Sequence, residues 1–261
     1  ALALAKRGAS ILLTYHASAD AAHEVVAEIE RSGAKAVALK ADLTQESEAN
    51  GVVAAAINAF GHINGLVHVS GGLIERITID AMPLQHWRKV MDVNLTSLFM
   101  MVRATIPHLN AGDSIVTFAS QAGRDGGGSG AVAYATSKGA IMSFTRGLAK
   151  ELGAKNIRVN SVCPGMISTG FHDQFTQSDV RSKVAAATAL KREGTADEVG
   201  QFVAGVGAGK VGGAVEVVAG VDEPVGVEDD DGVHAEFTAA AADFMVAVDG
   251  VLPCALARAV Q

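Results

Sequence analysis

The sequence predicts an α/β protein with a doubly wound parallel sheet, and two observations carry that prediction. Short apolar runs alternate with amphipathic stretches of helical length up to about residue 194. Glycine or proline stands at most of the changes between them. Residues 1–7 read as the end of a helix closed by Gly8, and 10–15 (SILLTY) as a β-rich run. Apolar spacing makes 20–32 a helix that Gly33 ends, and 36–40 is the next strand, followed by Asp42 and a polar helix start at Thr44. Residues 50–60 form a helix, and 65–69 (GLVHV) form a strand that runs into Gly71-Gly72. A long helix covers 84–109, bent or interrupted near Asn94, and 114–119 (SIVTFA) returns to strand. A glycine-rich loop over 123–130 leads into a helix over 132–153, and the strand 158–162 (RVNSV) stops at Pro164-Gly165. Strands joined by helices of this length form βαβ units, so the sheet is parallel with helices on both faces. Ligands of such sheets bind beyond the carboxyl ends of the strands. Asp42, Gly71, Asn94, Ser120 and Pro164-Gly165 all fall where a strand or helix run breaks off.

With 261 residues, 49% hydrophobic and 19% charged, the chain can bury one large core. No apolar run reaches the roughly 18–20 uncharged residues of a membrane span, since 199–221 is broken by Lys210 and Glu216. Lys6 and Arg7 precede ordinary apolar–polar alternation rather than an export core. Two cysteines, Cys163 and Cys254, make neither a disulfide framework nor a metal site, which points to a reduced cytoplasmic compartment. Charge is unevenly placed. Residues 1–198 carry 18 acidic and 19 basic side chains, a balance of +1, whereas 199–261 carry 10 acidic and 2 basic, a balance of −8. Nothing offers the basic face that nucleic acid requires, so the expected partner is a small molecule.

Tyr134 and Lys138 lie four residues apart and share one helix face. A phenol titrates near ~10, and a neighbouring ammonium stabilises the phenolate, so such a tyrosine can serve as a general acid or base. Ser120 ends the strand before that helix, where its hydroxyl could hydrogen-bond a carbonyl as charge develops on oxygen. Alone, the tyrosine–lysine spacing is more often a structural feature. The glycine-rich loop between Ser120 and Tyr134, Asn94 within VNL and the Pro164-Gly165 stop make it specific.

Together SIVTFASQAG, GAVAYATSKGA, DVNLTSLF and IRVNSVCPGMISTGF resemble the short-chain dehydrogenase/reductase family in order and spacing, over roughly residues 1–198. The resemblance implies a Rossmann-type fold and hydride exchange between a nicotinamide cofactor and a carbonyl or alcohol. It implies that Tyr134 is the acid/base, that Ser120 orients the carbonyl, and that Lys138 lowers the tyrosine pKa and binds the ribose. Asn94 would hold a water in a proton relay to that lysine. Pro164, Gly165, Ile167 and Thr169 resemble the segment that packs on the nicotinamide, Asp42-Leu43 the adenine contact, and Gly71 the close approach of backbone to cofactor. His68 stands where the family usually has an amide and is read as structural.

Two larger departures concern the ends. The family opens with a strand and a glycine-rich turn that holds the pyrophosphate, whereas this sequence opens inside the helix that follows. The fold is therefore expected to lack its first strand and to expose two strand edges. After Glu198 the family's helix and its strand with Thr-Gly are not recognisable. Residues 199–261 hold 38 Gly, Val or Ala out of 63. The expected division is a reductase domain over 1–198 and an atypical tail over 199–261, read as a disordered or out-of-frame extension whose acidic run at 228–231 is a solvated loop.

Residues 14–18 offer no carboxylate to the ribose hydroxyls, which leans toward NADP(H) over NAD(H), with His16 or Ser18 near the 2′-phosphate. Gln121, Arg124 and His172 are the candidate substrate contacts. Arg124 could pair with a carboxylate at the site mouth or simply be an exposed loop residue, and His172 could equally be a surface histidine. The runs HVSGG, SQAGRDGGG and PGMISTGFHDQFT resemble members that reduce keto-uronic acids, which makes a keto-acid sugar the leading substrate expectation within a generic carbonyl reductase. An activity of the 3-oxoacyl-carrier-protein reductase type is the alternative. From another class, the chain could be a catalytically silent interaction module that binds no cofactor. Family members are commonly tetramers or dimers. The helices at 84–109 and 132–153, with the apolar run 98–102, would form such an interface.

Overall fold

The computed structural model describes residues 1–208, together with the backbone of residues 216–219 and 244–247. The first strand, β1 (Ile11–Tyr15), follows a short helix α1 (Leu2–Ala5), and α2 (Ala19–Arg31) leads to β2 (Ala36–Lys40). Then come α3 (Glu46–Phe60), β3 (Gly65–His68), and a long helical stretch. That stretch is not one helix but α4 (Leu84–Met91), a π-helical turn at Asp92–Thr96 and α5 (Ser97–Thr105), closed by a 3-10 turn at Ile106–His108. The interruption expected near Asn94 is thus a widened turn. β4 (Ser114–Phe118), α6 (Ala122–Asp125), α7 (Val132–Gly153) and β5 (Arg158–Pro164) complete the part whose pattern was legible. Gly61 ends α3 in the left-handed region at φ 85°, and its N–H donates to the Ile57 carbonyl.

Beyond β5 the structure adds elements that the sequence pattern did not reveal. A two-residue strand β6 (Ile167–Ser168) pairs with β7 (Gly194–Thr195), and between them lie α8 (Gly170–Phe175) and α9 (Ser178–Ala187). The helix that could not be recognised after Glu198 is present as α10 (Ala196–Ala208). A capping box starts it: Thr195 N–H donates to Glu198 Oε2 at 2.8 Å, and Glu198 N–H donates to Thr195 Oγ1 at 3.2 Å. Val203 and Ala204 of α10 are buried in the core with α1, so the change in composition at residue 198 is not a break in packing.

Among the described residues, seven parallel strands form the main sheet. β8 (Glu216–Ala219) extends it beyond β5, and β9 (Phe244–Ala247) lies between β1 and β3, in register with both. The expectation of two open edges there is therefore corrected: a segment from the far end of the chain occupies the slot, pairing Leu13 and Val67 with Val246. The rest of residues 209–261, including the acidic run, lies outside the described residues.

Side chains of the sheet divide by the two-residue period of extended backbone. Leu12, Leu66, Ile115 and Val159 face a core built with α3, α5 and α7. Ile11, Leu13, Val67, Val116 and Val162 face the other, built with α1, α2 and α10. Both faces of the sheet are covered, as an all-parallel sheet requires.

Candidate active site

Ser120 lies two residues beyond the end of β4, and Tyr134 and Lys138 lie on the first turns of α7. Two bonds fix α7 against β4. Lys138 Nζ donates to the Phe118 carbonyl at 2.8 Å, and the Thr117 and Thr145 hydroxyls share a 2.8 Å hydrogen bond. The loop between them needs glycine at Gly123: a Cβ there would lie 2.7 Å from Gly139 N and 2.8 Å from Lys138 C. Close packing of α6 on α7 thus rests on that missing side chain.

Asn94 is fully buried in the π turn. Its Oδ1 accepts the Gly72 N–H at 3.0 Å, and its Nδ2 donates to the Gly72 carbonyl at 2.8 Å and to Val90 O at 2.9 Å. The amide therefore pins the loop after β3 to the helix. Gly71, at φ 142°, fits under it only as glycine, since a Cβ would stand 2.4 Å from Asn94 Oδ1 and 3.2 Å from Lys138 Nζ. A widened turn that aims one buried amide at a loop is a common use of π geometry near functional sites.

Burial sets the electrostatics. Lys138 is 4% exposed, and desolvation lowers its pKa to about 8, partly offset by the nearby Cys163 thiol. Burial likewise holds the Tyr134 phenol above its ordinary value, while a hydrogen bond with Ser120 pulls it back down. Lys138 Nζ stands 5.7 Å from the Tyr134 ring centroid and is directed to the Phe118 carbonyl. His68 is buried beside Ser97 Oγ (3.4 Å); burial and then the Lys138 charge push its pKa down to about 3, so the imidazole is neutral.

Four of these groups open on a cavity of about 230 Å³, which Asn94 and His68 do not line. Ser120, Tyr134, Lys138 and Gly71 line it, as do Pro164, Gly165, Ile167, Thr169 and His172. Sequence positions more than 90 residues apart therefore converge at the carboxyl end of the sheet. The Gln121 N–H donates to the Pro164 carbonyl at 3.0 Å, which locks the serine loop to the end of β5. Other expected contacts stand apart. His16 is exposed after β1, Ser18 precedes α2, and neither lines the cavity. Leu43 is buried in the core, and Asp42 Oδ1 accepts from the Thr44 N–H (3.0 Å) and hydroxyl (2.6 Å). Burial raises the Asp42 pKa, but the Thr44 bonds outweigh it and the net shift is downward. Arg124 is exposed on α6 and lines no part of the cavity, and Gln121 does not line it either.

The sequence reading missed Phe171. Its ring lies 5.9 Å from that of Tyr134 and lines the cavity, with Phe175 at 5.1 Å behind it. Phe-x-x-x-Phe directly after a glycine, within a polar run, was the available signal.

The cavity thus joins Ser120, Tyr134 and Lys138 at the carboxyl ends of the strands, and comparison with known proteins gives the family. The sequence profile described as enoyl-(acyl carrier protein) reductase matches residues 1–207. A short-chain dehydrogenase/reductase, FrzI, of Cladobotryum sp. is 35% identical over 211 residues, 78% of this chain and 81% of the relative. The chain belongs to the short-chain dehydrogenase/reductase family. An uncharacterized oxidoreductase of Methylorubrum extorquens is 36% identical over 206 residues, covering 78% of this chain and 82% of the relative. Among solved structures, a short-chain dehydrogenase of Burkholderia cenocepacia in complex with NADP superposes with a TM-score of 0.76 at 30% identity, over 84% of this chain and 91% of that one. An NADH-dependent reductase, A1-R′, responsible for alginate metabolism superposes at 0.73 with 26% identity, over 84% and 90%. The protein is an oxidoreductase of this family, and no described helix is long and apolar enough to cross a membrane.

Proposed function

We propose that this reductase interconverts a carbonyl and an alcohol at Tyr134, with NADP(H) preferred over NAD(H). The observation that carries the reading is the convergence of Ser120, Tyr134 and Lys138 on one cavity with Pro164, Gly165, Ile167 and Thr169. The donor set fits the nicotinamide–ribose half of the cofactor. Gly71 brings backbone to the cavity wall beside the Lys138 ammonium, and the uncharged wall at Ile167 and Thr169 suits a flat ring. When bound, the nicotinamide supplies or takes up the hydride at the carbonyl carbon.

Tyr134 delivers the proton to the carbonyl oxygen, and the Ser120 hydroxyl, paired with the phenol before substrate enters, turns its one proton to the same oxygen as negative charge grows there. Lys138, with a pKa of about 8, is charged at neutral pH and available to a ribose hydroxyl. Asn94 keeps Gly71-Gly72 in place beside it. The NADP(H) preference rests on residues 14–18, where no carboxylate would repel a 2′-phosphate. Assembly into dimers or tetramers is part of the same reading, through the helices flanking Asn94 and α7. Between them Leu95, Phe99, Ala140 and Phe144 line an apolar groove, with Phe99 46% exposed.

A keto-acid sugar is the second reading for the substrate, favoured by the likeness to the NADH-dependent reductase responsible for alginate metabolism. The test titrates NADPH and NADH against the full chain by nicotinamide fluorescence and follows cofactor oxidation with a panel of carbonyl compounds. Binding with NADPH ahead of NADH is expected, with a roughly 10²–10⁴-fold loss of turnover in Tyr134→Phe. Binding of neither cofactor at millimolar concentration would leave the silent interaction module as the better account.

A further inference from the structure

The wall opposite Tyr134 is aromatic, uncharged and held in place by two arginines. Phe171 projects from α8 into the cavity, its ring tilted 37° to that of Tyr134. His172 packs edge-on against Phe171 at 5.2 Å and 83°. Burial and then the Arg181 charge lower the pKa of that histidine, against the pull of the Gly165 carbonyl, Glu193 and Asp173, so it presents a neutral ring. Of the described residues lining the cavity, Lys138 carries the cationic side chain, and one of its three N–H groups is bonded to Phe118 O.

α8 is too short to be stable alone, so its position comes from outside. Arg181 of α9 ion-pairs with Asp173 of α8 and donates twice to Glu193 at 2.6 Å, ahead of β7. Arg76, in the loop after β3, donates Nε to the Phe175 carbonyl and Nη1 to the Ser129 carbonyl, both at 2.9 Å. It thereby straps the end of α8 to the glycine-rich loop before α7. Gly130 sits against this strap, because a Cβ there would stand 2.9 Å from Arg76 Cβ. The ring of Phe171 is thus held over the catalytic tyrosine from two sides.

We propose that Phe171 is a specificity-determining residue that selects flat, apolar carbonyl compounds, aryl and fused-ring ketones, over charged keto acids. The proposal rests on the carbonyl-reductase reading for the site itself and stands against the keto-acid sugar as its substrate. A planar ring can lie between Phe171 and the cofactor side of the cavity, with its carbonyl oxygen between Ser120 and Tyr134. A carboxylate held against the faces of Phe171 and His172 would be desolvated there, while the remaining Lys138 donors serve the ribose on the reading above, so its burial is costly.

The test measures binding by calorimetry and turnover in parallel, with 2-tetralone as the aryl ketone and 5-keto-D-gluconate as the charged keto acid. The full chain should bind and turn over 2-tetralone at least tenfold better. Phe171→Ala should weaken 2-tetralone binding roughly five- to tenfold, Phe171→Tyr should restore it, and Phe171→Arg should shift preference toward the keto acid. Arg181→Met, which leaves the ring but frees the helix carrying it, should raise KM for 2-tetralone more than it lowers kcat. Thermal unfolding of each variant separates loss of fold from loss of selectivity. Equal or better binding of 5-keto-D-gluconate by the unaltered chain, or no change in 2-tetralone binding in a folded Phe171→Ala, overturns the proposal. Selective binding without turnover supports it while refuting the reductase reading, so the two failures are distinct.

Discussion

Replacing Lys138 with methionine should separate the catalytic use of this residue from its cost to the fold. Its ammonium is 4% exposed, and burial lowers its pKa from the usual 10.5 to about 8. That difference corresponds to about 3 kcal/mol between the two protonation states. The sign follows from proton counting. Below about pH 8 both folded and unfolded chains carry the charge, and the folded state bears the full desolvation penalty. Between about 8 and 10.5 the folded chain has released the proton while the unfolded chain still holds it, so this residue makes stability rise with pH. Methionine has no such dependence. It also leaves the Phe118 carbonyl without its 2.8 Å donor, at a cost of about 1–3 kcal/mol that does not vary with pH. The two effects nearly offset one another at pH 7, where the variant should lie within about 2 kcal/mol of the parent despite losing most of its turnover. By pH 10.5 the parent should have gained about 3 kcal/mol relative to the variant. Urea unfolding followed by circular dichroism across this range gives the difference directly. Parallel stability curves, flat in pH to within about 1 kcal/mol, would refute the assignment of a depressed lysine pKa to burial.

Three further outcomes follow from the packing. Gly71→Ala forces a Cβ to within 2.4 Å of Asn94 Oδ1 at a φ of 142°, so it should destabilise by about 2–4 kcal/mol and lower turnover; calorimetry and kcat/KM check both. Val246→Pro removes a ladder donor from a strand paired on both sides, which should cost about 3 kcal/mol or more and expose to hydrogen exchange the β1 amides on the β9 side, Leu12 and Thr14, while the Ile11 amide stays bonded to Lys35 O. Unchanged protection there would mean that β9 does not fill the slot. Thr195→Ala should cost about 1 kcal/mol by opening the capping box of α10, read as a fall in thermal midpoint. Its partner Glu198 is held down to about 2, chiefly by Arg192, so the Glu198 contribution should be present above about pH 4.5 and fade as pH falls toward 2 in acid unfolding.

Local rules carried much of this protein. Glycine stops and apolar periodicity placed α7 at 132–153 and β2 at 36–40 without the structure, because caps and side-chain periods act over a few residues. The Tyr134–Lys138 pair was legible for the same reason: an i, i+4 spacing sets a shared helix face wherever the helix lies. What required the tertiary structure was contact between distant segments. Asn94 reaches Gly72 across 22 residues, and Phe171 meets Tyr134 across 37, and no local spacing encodes either meeting. Strand order shows the difference most clearly. Any short valine- and alanine-rich run can enter a parallel ladder, because its hydrogen bonds come from the backbone alone. The sequence therefore identified the strands on either side of the central slot, but only long-range pairing decided that Phe244–Ala247 lies between them.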